Sequence, residues 1–416
     1  MPEATAISSS VPPYPTKGQS IRLKNFDETE SAFKHHSNRR LRQMWWLFRL
    51  MNSPTLNRWG SAALRLAMRW HLPVEPIVKA TLFRQFCGGQ TLEECQATIA
   101  RLAQANIKTI LDYAVEGEST EEGFEQVTQT VLQNIAQAKA NPAIPFAVFK
   151  VTGLARFELL EKVSARKVLT SEEEAEWQRV QARVARITTA AEQAAVPVMI
   201  DAEESWIQAA IDELAMKAMR QHNRQRAIVF NTIQLYRRDR LAYLKACYAE
   251  AEAEGFYLGV KLVRGAYMEK ERARAAKLGY PSPIHPTKAD TDKDYNAAIE
   301  FCLAYLDRIA FCAGTHNEES SLKLANALET PAHPNVYFSQ LYGMGDHISY
   351  TLAAHGFNVA KYVPYGAVRK VIPYLLRRAE ENSALSGYVS REQRLIEAEI
   401  ARRQKAKKCK KNLHVD

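Results

Sequence analysis

The stretch FYLGVKLVRGAY, residues 256–267, joins a short apolar run to a polar carboxyl end. The run is brief, apolar and partly β-branched, as in a buried strand. It ends in Arg264, a residue that does not belong in an apolar core. This combination of apolar strand and polar end is repeated along most of the chain.

Seven further segments follow the same pattern, and helical sequence separates most of them. They are IKTILDYAVEG (107–117), IPFAVFKVTG (144–153), VPVMIDAEE (196–204), AIVFNTIQLY (227–236), IAFCAGTHNE (309–318), NVYFSQLYGMG (335–345) and NVAKYVPYG (358–366). Strands that alternate with helices indicate βαβ units and a parallel sheet. About eight such units favour an α/β fold of the (βα)8 barrel type over an open doubly wound sheet.

The chain is therefore expected to have three parts. Residues 1–104 would form an N-terminal arm and a helical region, residues 105–395 the barrel, and residues 396–416 a basic C-terminal tail. Within the helical region, Thr91 is placed to cap a helix and Glu94 occupies the capping-box position. The first twenty residues lack the apolar core of a secretory signal, and no apolar run is long enough for a membrane span.

The formal net charge is +10, and seven basic residues crowd into RRQKAKKCKK, residues 402–411. This tail is either a solvated, disordered terminus or a segment attracted to an anionic membrane surface. Nucleic acid is a less favoured partner because the sequence has no recognition module. The six cysteines form no CxxC and the histidines no HExxH, so we expect reduced thiols and no metal site.

In a barrel, the polar strand ends would share one rim, where barrel enzymes carry their active sites. That rim would be rich in cations, and it could hold a pyrophosphate and a carboxylate together. The cations are Lys150, Lys261, Arg264, Lys288, Arg377 and Arg378. A strand-end lysine could instead form a Schiff base. The rim alone supports an oxidoreductase and a carbon–carbon lyase equally, and no GxGxxG, Walker A or GxSxG motif is present.

The segment YLLRRAEENSAL, residues 374–385, places two arginines side by side after the last strand. Neighbours on a helix point about 100° apart, so Arg377 and Arg378 could grip one ligand from two directions. Glu381 is spaced to reach either arginine. A solvated helix face with ion pairs is the alternative, but a helix that covers the barrel mouth would point the pair into a pocket.

The motifs KLVRGAYMEKE, FKVTG, MIDAEE, IQLY, GTHN, QLYGMG and YVPYGAVRKVIPYLLRRAEEN together resemble proline dehydrogenase, the flavin enzyme that oxidises L-proline. The resemblance extends from about Asp112 to Asn382. It implies a distorted (βα)8 barrel with the eighth helix over its mouth. It is strongest with the single-function, eukaryote-like branch, in which no aldehyde dehydrogenase domain follows.

The resemblance also implies an activity. FAD would oxidise L-proline to Δ1-pyrroline-5-carboxylate by hydride transfer to flavin N5, and a quinone would take the electrons in the first step of proline catabolism. The protein would be cytoplasmic or peripheral on an inner membrane, mitochondrial in a eukaryote. The alternatives are a flavin barrel of the methylenetetrahydrofolate reductase type and a Schiff-base barrel lyase. A non-enzymatic membrane-binding protein would not need a polar rim.

Residue roles follow from the same resemblance. Arg377, Arg378 and Lys150 would clamp the substrate carboxylate, Asp201 would orient Lys150, and Tyr362 completes the catalytic set. Tyr362 would also exclude a 4-hydroxyl group, since the related branch that oxidises hydroxyproline has a smaller residue at this place. The further substrate contacts are Glu116, Tyr267, Leu341 and Tyr374. The flavin contacts are Thr232, Gln234, Lys261, Arg264, Gly265, Ala266, Lys288, Thr315, His316 and Glu381.

Overall fold

The structure is a computed structural model of the chain. It describes residues 22–412, apart from 52–58, 61, 62, 65, 67, 68, 71, 115–118 and 385.

Eight parallel strands close into a barrel in which each strand pairs with its neighbours in chain order. They are β1 (Ile107–Tyr113), β2 (Phe146–Phe149), β3 (Val198–Ile200), β4 (Val229–Gln234), β5 (Leu258–Val263), β6 (Ile309–Gly314), β7 (Val336–Leu341) and β8 (Val359–Tyr365). The first and last strands complete the ring over seven residue pairs, from Ile107 opposite Val359 to Tyr113 opposite Tyr365. The predicted (βα)8 barrel is confirmed.

Helices precede the barrel, surround it and follow it. Before β1 lie α1 (Thr29–Phe33), α2 (Asn38–Met51), α3 (Glu75–Val78), a π-helical turn (Lys79–Phe83), α4 (Arg84–Phe86) and α5 (Leu92–Ala103). Around the barrel lie α6 (Glu121–Ala140), α7 (Phe157–Ser164), α8 (Ser171–Ala194), α9 (Ser205–His222), α10 (Arg240–Glu254), α11 (Met268–Leu278), α12 (Lys288–Ala304), α13 (Glu318–Ala327) and α14 (Asp346–Ala354). The last two are α15 (Val368–Ala384) and α16 (Ser386–Asn412).

Apolar side chains fill the barrel interior. Phe146 packs edge-on against Phe230 and Tyr337, with ring centroids 5.4 and 4.9 Å apart. Val148, Met199 and other buried residues complete this cluster. Because side chains of alternate residues face the barrel axis, such a core leaves space for a ligand only at the ends of the strands.

A separate apolar cluster joins the N-terminal helices to the last two helices. Phe48 of α2, Ile372 and Leu375 of α15, and Ile396 of α16 are all fully buried in it. This packing holds α15 beside the N-terminal region, while Arg377 and Arg378 line a cavity at the barrel mouth. Helix α15 therefore lies over the barrel mouth, as expected for the last barrel helix.

The basic segment expected to be a tail continues α16 as far as Asn412. Arg402 and Arg403 both bond the fully buried carboxylate of Glu399. At the N-terminal side, Thr91 caps α5 as predicted by accepting a hydrogen bond from the Glu94 amide. The Glu94 carboxylate, however, accepts from the amide of Gln90.

Candidate active site

A cavity of about 310 Å³ lies at the carboxyl ends of the strands, under α15. Its volume falls within the range of about 300–1,000 Å³ that is usual for small-molecule sites. Most of the residues predicted for the site line it. These are Lys150, Asp201, Thr232, Gln234, Lys261, Arg264, Gly265, Ala266, Tyr267, Lys288, Thr315, His316, Leu341, Tyr362, Tyr374, Arg377 and Arg378.

Two predicted site residues are not located by the structure. Glu116 lies outside the described residues, and so does the side chain of Glu381, although the backbone of Glu381 belongs to α15. Their predicted roles, in holding the arginine pair and in contacting flavin, remain predictions.

Asp201, at the end of β3, is the centre of an ion-pair cluster. Its Oδ2 lies 3.0 Å from Lys150 Nζ, and its Oδ1 pairs with Lys261. The Tyr362 hydroxyl donates to the same Oδ2 at 2.7 Å. Lys150 also contacts Asp112, 3.3 Å away at the end of β1. Asp112 belongs to the first strand-like segment of the sequence, residues 107–117, but no role was predicted for it.

Each charged group of this cluster stabilises the charged form of its partner. Burial raises the pKa of Asp201, but Lys261 and Lys150 outweigh burial and hold the pKa well below its ordinary value. Burial likewise lowers the pKa of Lys150, but Asp112, Tyr362 and Asp201 outweigh it and raise that pKa well above the usual value. Lys150 is therefore a protonated cation at neutral pH, and Asp201 is a carboxylate. A protonated amine can bind an anion but cannot attack a carbonyl group.

Arg264, directly after β5, is fixed on three sides. Its Nε lies 2.7 Å from Asp292 Oδ1, and its two Nη atoms donate to Thr315 Oγ1 at 2.6 Å and Ser320 Oγ at 3.0 Å. Lys288, at the first turn of α12, pairs with the same Asp292. These contacts place two cations and a hydroxyl group at one side of the cavity, a donor set suited to phosphate oxygens.

The next part of the rim, at β3 and β4, is neutral and polar. The Gln234 amide donates to the Glu203 carbonyl at 2.7 Å, and the Thr232 hydroxyl donates to the Ile200 carbonyl at 2.8 Å. The buried Glu203 carboxyl accepts from Thr152. Burial raises the pKa of Glu203 to about 7, although the bonds from Thr152 oppose that shift.

His316, two residues after β6, bonds the backbone at the end of β7. Burial, with Lys361 and Arg378 nearby, lowers its pKa to about 3, so the imidazole is neutral. Its Nε2 accepts from the Leu341 amide at 3.2 Å, which leaves the proton on Nδ1. His316 therefore holds the end of β7, where the Leu341 side chain lines the cavity, and the Met344 side chain lines it from the loop that follows.

The sequence did not reveal which residue anchors the loop that follows β7. Lys361 of β8 is fully buried, and its Nζ donates to the Met344 carbonyl at 2.6 Å and pairs with Asp346 at 2.7 Å. Its position within a strand could have indicated a buried ion pair. Both faces of a barrel strand are buried, and a buried lysine needs a partner of opposite charge. The partner, at the start of α14, could be identified only from the fold.

Arg377 and Arg378 cover the cavity from α15, together with Tyr374. The Arg378 guanidinium lies 5.3 Å from the centre of the Tyr374 ring. Lys150 reaches the same cavity from β2. Cations thus approach one space from a helix above and a strand below, an arrangement that suits a small carboxylate.

The sequence matches the family described as Proline dehydrogenase over residues 95–391. It is 40% identical over 318 residues to the "Carbapenem antibiotics biosynthesis protein CarD" of Pectobacterium carotovorum subsp. carotovorum, covering 76% of this chain and 83% of that protein. It is 32% identical over 379 residues to "Proline dehydrogenase 1, mitochondrial" of Dictyostelium discoideum, covering 80% of this chain and 66% of that protein.

A solved structure of proline utilization A from Bdellovibrio bacteriovorus has a similar fold, with a TM-score of 0.65 and 18% identity. The similarity covers 86% of this chain but only 38% of that one. The family match extends over the whole barrel and reaches α16, so it includes every strand end that lines the cavity. The chain belongs to the proline dehydrogenase family.

Proposed function

We propose that this proline dehydrogenase uses FAD to oxidise L-proline to Δ1-pyrroline-5-carboxylate and passes the electrons to a quinone. The observation that supports this most strongly is the convergence of Arg377, Arg378 and Lys150 on one cavity of a proline dehydrogenase barrel. L-proline offers that cavity a carboxylate and a small apolar ring, which the cations and the neighbouring aromatic side chains can bind separately.

In this proposal, the two guanidiniums and the Lys150 ammonium bind the substrate carboxylate. Asp201 and Asp112 keep Lys150 charged and hold its Nζ at the cavity wall. Tyr362 and Tyr374, with Leu341, provide the surface against which the pyrrolidine ring packs. We assign no general base, because water can accept the proton that leaves the proline nitrogen.

The remaining wall fits FAD. Arg264, Lys288 and Thr315 form the donor set that phosphates need, and Gln234 and Thr232 offer neutral polar groups between that set and Asp201. When bound, FAD supplies a hydride acceptor at N5 of its isoalloxazine ring. Lys261, held by Asp201, would keep a positive charge beside the ring, and Gly265 and Ala266 would let the cofactor approach the backbone closely.

Two alternative activities are less well supported. A Schiff-base lyase needs a neutral lysine, yet Lys150 and Lys261 are both paired with Asp201, and the pKa of Lys150 is raised. A folate-type flavin reductase would have no use for an arginine pair above the cavity. Borohydride trapping with a carbonyl substrate would support the lyase, and flavin reduction by NAD(P)H would support the reductase.

The proposed activity is tested by incubating the purified protein with L-proline and a soluble quinone. Mass spectrometry should detect Δ1-pyrroline-5-carboxylate and quinol in equal amounts, and boiled protein should form neither. Product formation that requires NAD(P)+ or does not require flavin would contradict the proposal.

A further inference from the structure

The segment from residue 31 to residue 74 contains eight lysines and arginines but no aspartate or glutamate. It also holds four of the six tryptophans, at positions 45, 46, 59 and 70. The positive excess of the chain is therefore not confined to residues 402–411. A basic segment without acids that is rich in tryptophan is typical of surfaces that lie at a membrane–water interface.

Helix α2 separates its residues cleanly between two faces. Leu41, Met44 and Phe48 are fully buried against α15 and α16. The opposite face presents Arg39, Arg42, Trp46 and Arg49, at the i, i+3, i+7 and i+10 positions, with Leu50 beside them. This face is thus a stripe of three cations and a large aromatic ring that the fold leaves in solvent.

The exposed apolar groups on this stripe are large. Trp46 is 59% exposed and Leu50 is 51% exposed. Arg49 lies 5.7 Å from the Trp46 ring centre. Trp59 and Trp70, which are 76% and 66% exposed, add further indole surface within the same acid-free segment.

A groove lies between this stripe and residues 80–85, which belong to the π-helical turn and α4. Trp46, Leu47 and Leu50 form its apolar part, and Arg39, Arg42 and Arg84 supply positive charge at its edges. Among the described residues, none of these three arginines forms an ion pair with a carboxylate. An apolar strip flanked by unneutralised cations is complementary to an amphiphile with an anionic head group.

We propose that this face of α2, with the adjoining groove, binds the surface of a bilayer that contains anionic phospholipid. Trp46 and Leu50 would enter the interfacial region, and Arg39, Arg42 and Arg49 would contact the phosphates. The helix packs against α15, which lies over the mouth of the barrel. The face would therefore hold the active-site end of the barrel close to the membrane.

One consequence rests on the proposed function: a quinone dissolved in the membrane would reach the active-site end of the barrel directly. The binding of lipid itself does not depend on the quinone. The two ideas can fail separately, since vesicle binding is measured without substrate and proline oxidation can be measured with a soluble dye.

Full-length protein containing flavin would be floated with vesicles of phosphatidylcholine alone or of phosphatidylcholine with 25% phosphatidylglycerol. The test variant combines Arg39→Glu, Arg42→Glu and Arg49→Glu. The control combines Lys139→Glu, Lys167→Glu and Lys217→Glu, which changes the net charge equally at exposed positions on the barrel wall. Circular dichroism and dye-linked activity would verify that both variants are folded.

Wild type should bind the anionic vesicles far better than the neutral ones. Since each basic residue near such a surface contributes about a factor of five, the test variant should bind at least about 100-fold more weakly, and the control much less so. Brominated phosphatidylglycerol should quench tryptophan fluorescence, and the Trp46→Phe variant should lose part of that quenching.

The proposal is overturned if the test variant binds as wild type does. It is also overturned if a chain that ends at Arg403 loses all binding while the α2 variant keeps it, since the terminal lysines would then be the contact. A third result would also overturn it. If wild type does not bind vesicles but is a dimer, and the variant with the three arginines replaced by glutamate is a monomer, this face is a protein–protein contact.

Discussion

Arg377 and Arg378 reach the cavity from α15. Replacing either arginine should weaken the binding of L-proline and leave the binding of flavin largely unchanged. Arg377→Met and Arg378→Met should each raise the KM for L-proline by about 10- to 100-fold, because a hydrogen bond to a charged group contributes roughly 1.5–3 kcal/mol. Steady-state kinetics and the flavin-to-protein ratio would be measured together. Arg369→Met, an exposed position on the same helix, serves as the control. Unchanged KM values in both variants would mean that the arginines do not bind the substrate.

Tyr362 allows a prediction about substrate choice. Its ring would occupy the space that a 4-hydroxyl group needs, so wild type should strongly prefer L-proline to trans-4-hydroxy-L-proline in kcat/KM. Tyr362→Ser should narrow the gap, by about 1–3 kcal/mol in discrimination. It should also lower the efficiency with proline, since the hydroxyl that bonds Asp201 moves away.

Tyr362→Phe is the matched control for that substitution. It keeps the ring and loses the bond to Asp201, so it should retain the preference for proline while losing some activity. Kinetics with both substrates on all three proteins decide the matter. An equal fractional loss for both substrates in Tyr362→Ser would show that the ring does not select between them.

Glu203 should make stability depend on pH. Burial raises its folded-state pKa to about 7 from an ordinary value of 4.5, so the folded state holds a proton that the unfolded state has already released. Its contribution to the free energy of unfolding is therefore complete below pH 4.5 and is lost as the pH rises toward 7. The loss should be at most about 3 kcal/mol.

Urea unfolding of wild type and Glu203→Gln at pH 4.5 to 8 would measure this effect. The variant should be less sensitive to pH across that window, whereas Glu213→Gln, at an exposed position on α9, should follow wild type. Parallel pH profiles for wild type and Glu203→Gln would show that Glu203 is not protonated in the folded protein.

Single residues were predictable from sequence where a polar side chain interrupts an apolar strand at its carboxyl end. Lys150, Asp201 and Arg264 could be located in this way. For Lys361 the sequence offers the position in a strand but not the partner, because Asp346 lies on a different element and the pairing depends on how α14 packs against β8. The ion pair between Lys261 and Asp201 likewise requires the register that brings β3 and β5 to the same rim.

Helix α16 was the element least accessible to sequence reasoning. Its basic composition suggests a solvated tail, but Leu395 and Ile396 are buried in the cluster that contains α2 and α15. Arg403 donates to the Phe33 carbonyl at 2.7 Å and the His36 carbonyl at 2.8 Å. A terminus with few apolar residues can thus be fixed by a small number of charged hydrogen bonds that only the fold reveals.

Two truncations should distinguish this packed part from the remaining terminus. A chain that ends at Ala401 loses Arg402 and Arg403 and leaves the buried Glu399 carboxylate with Thr29 as its remaining partner at this end. Removing the partner of a buried charge typically costs about 3–5 kcal/mol, so this chain should unfold at clearly lower urea concentration. A chain that ends at Arg403 should behave as wild type does.

Limited proteolysis would report on the N-terminal helices of the same two proteins. Cleavage near α1 and α2 should accelerate in the shorter chain, because Arg403 no longer holds the carbonyls of Phe33, at the end of α1, and of His36. Both chains should still reduce a soluble dye with proline. Equal stability of the two truncations would show that Arg402 and Arg403 do not anchor the N-terminal region.

At the scale of the whole molecule, the barrel places the carboxyl ends of all eight strands at one rim. This is why the alternation of strands and helices predicted both the architecture and the end of the barrel at which the cavity lies. The N-terminal helices, α15 and α16 are joined by side-chain packing rather than by a repeating pattern. Their arrangement could not be read from periodicity, and it determines how the cavity is covered.

The central claim is that this cavity holds a flavin that L-proline reduces. Its most direct test is the absorption spectrum of the purified protein before and after anaerobic addition of L-proline. The protein should absorb at about 450 nm, as oxidised flavins do, and L-proline should bleach that band. The Arg377→Met and Arg378→Met variants should need much higher concentrations for the same bleaching. A colourless protein that FAD cannot reconstitute, or a yellow protein that L-proline leaves unchanged, would contradict the claim.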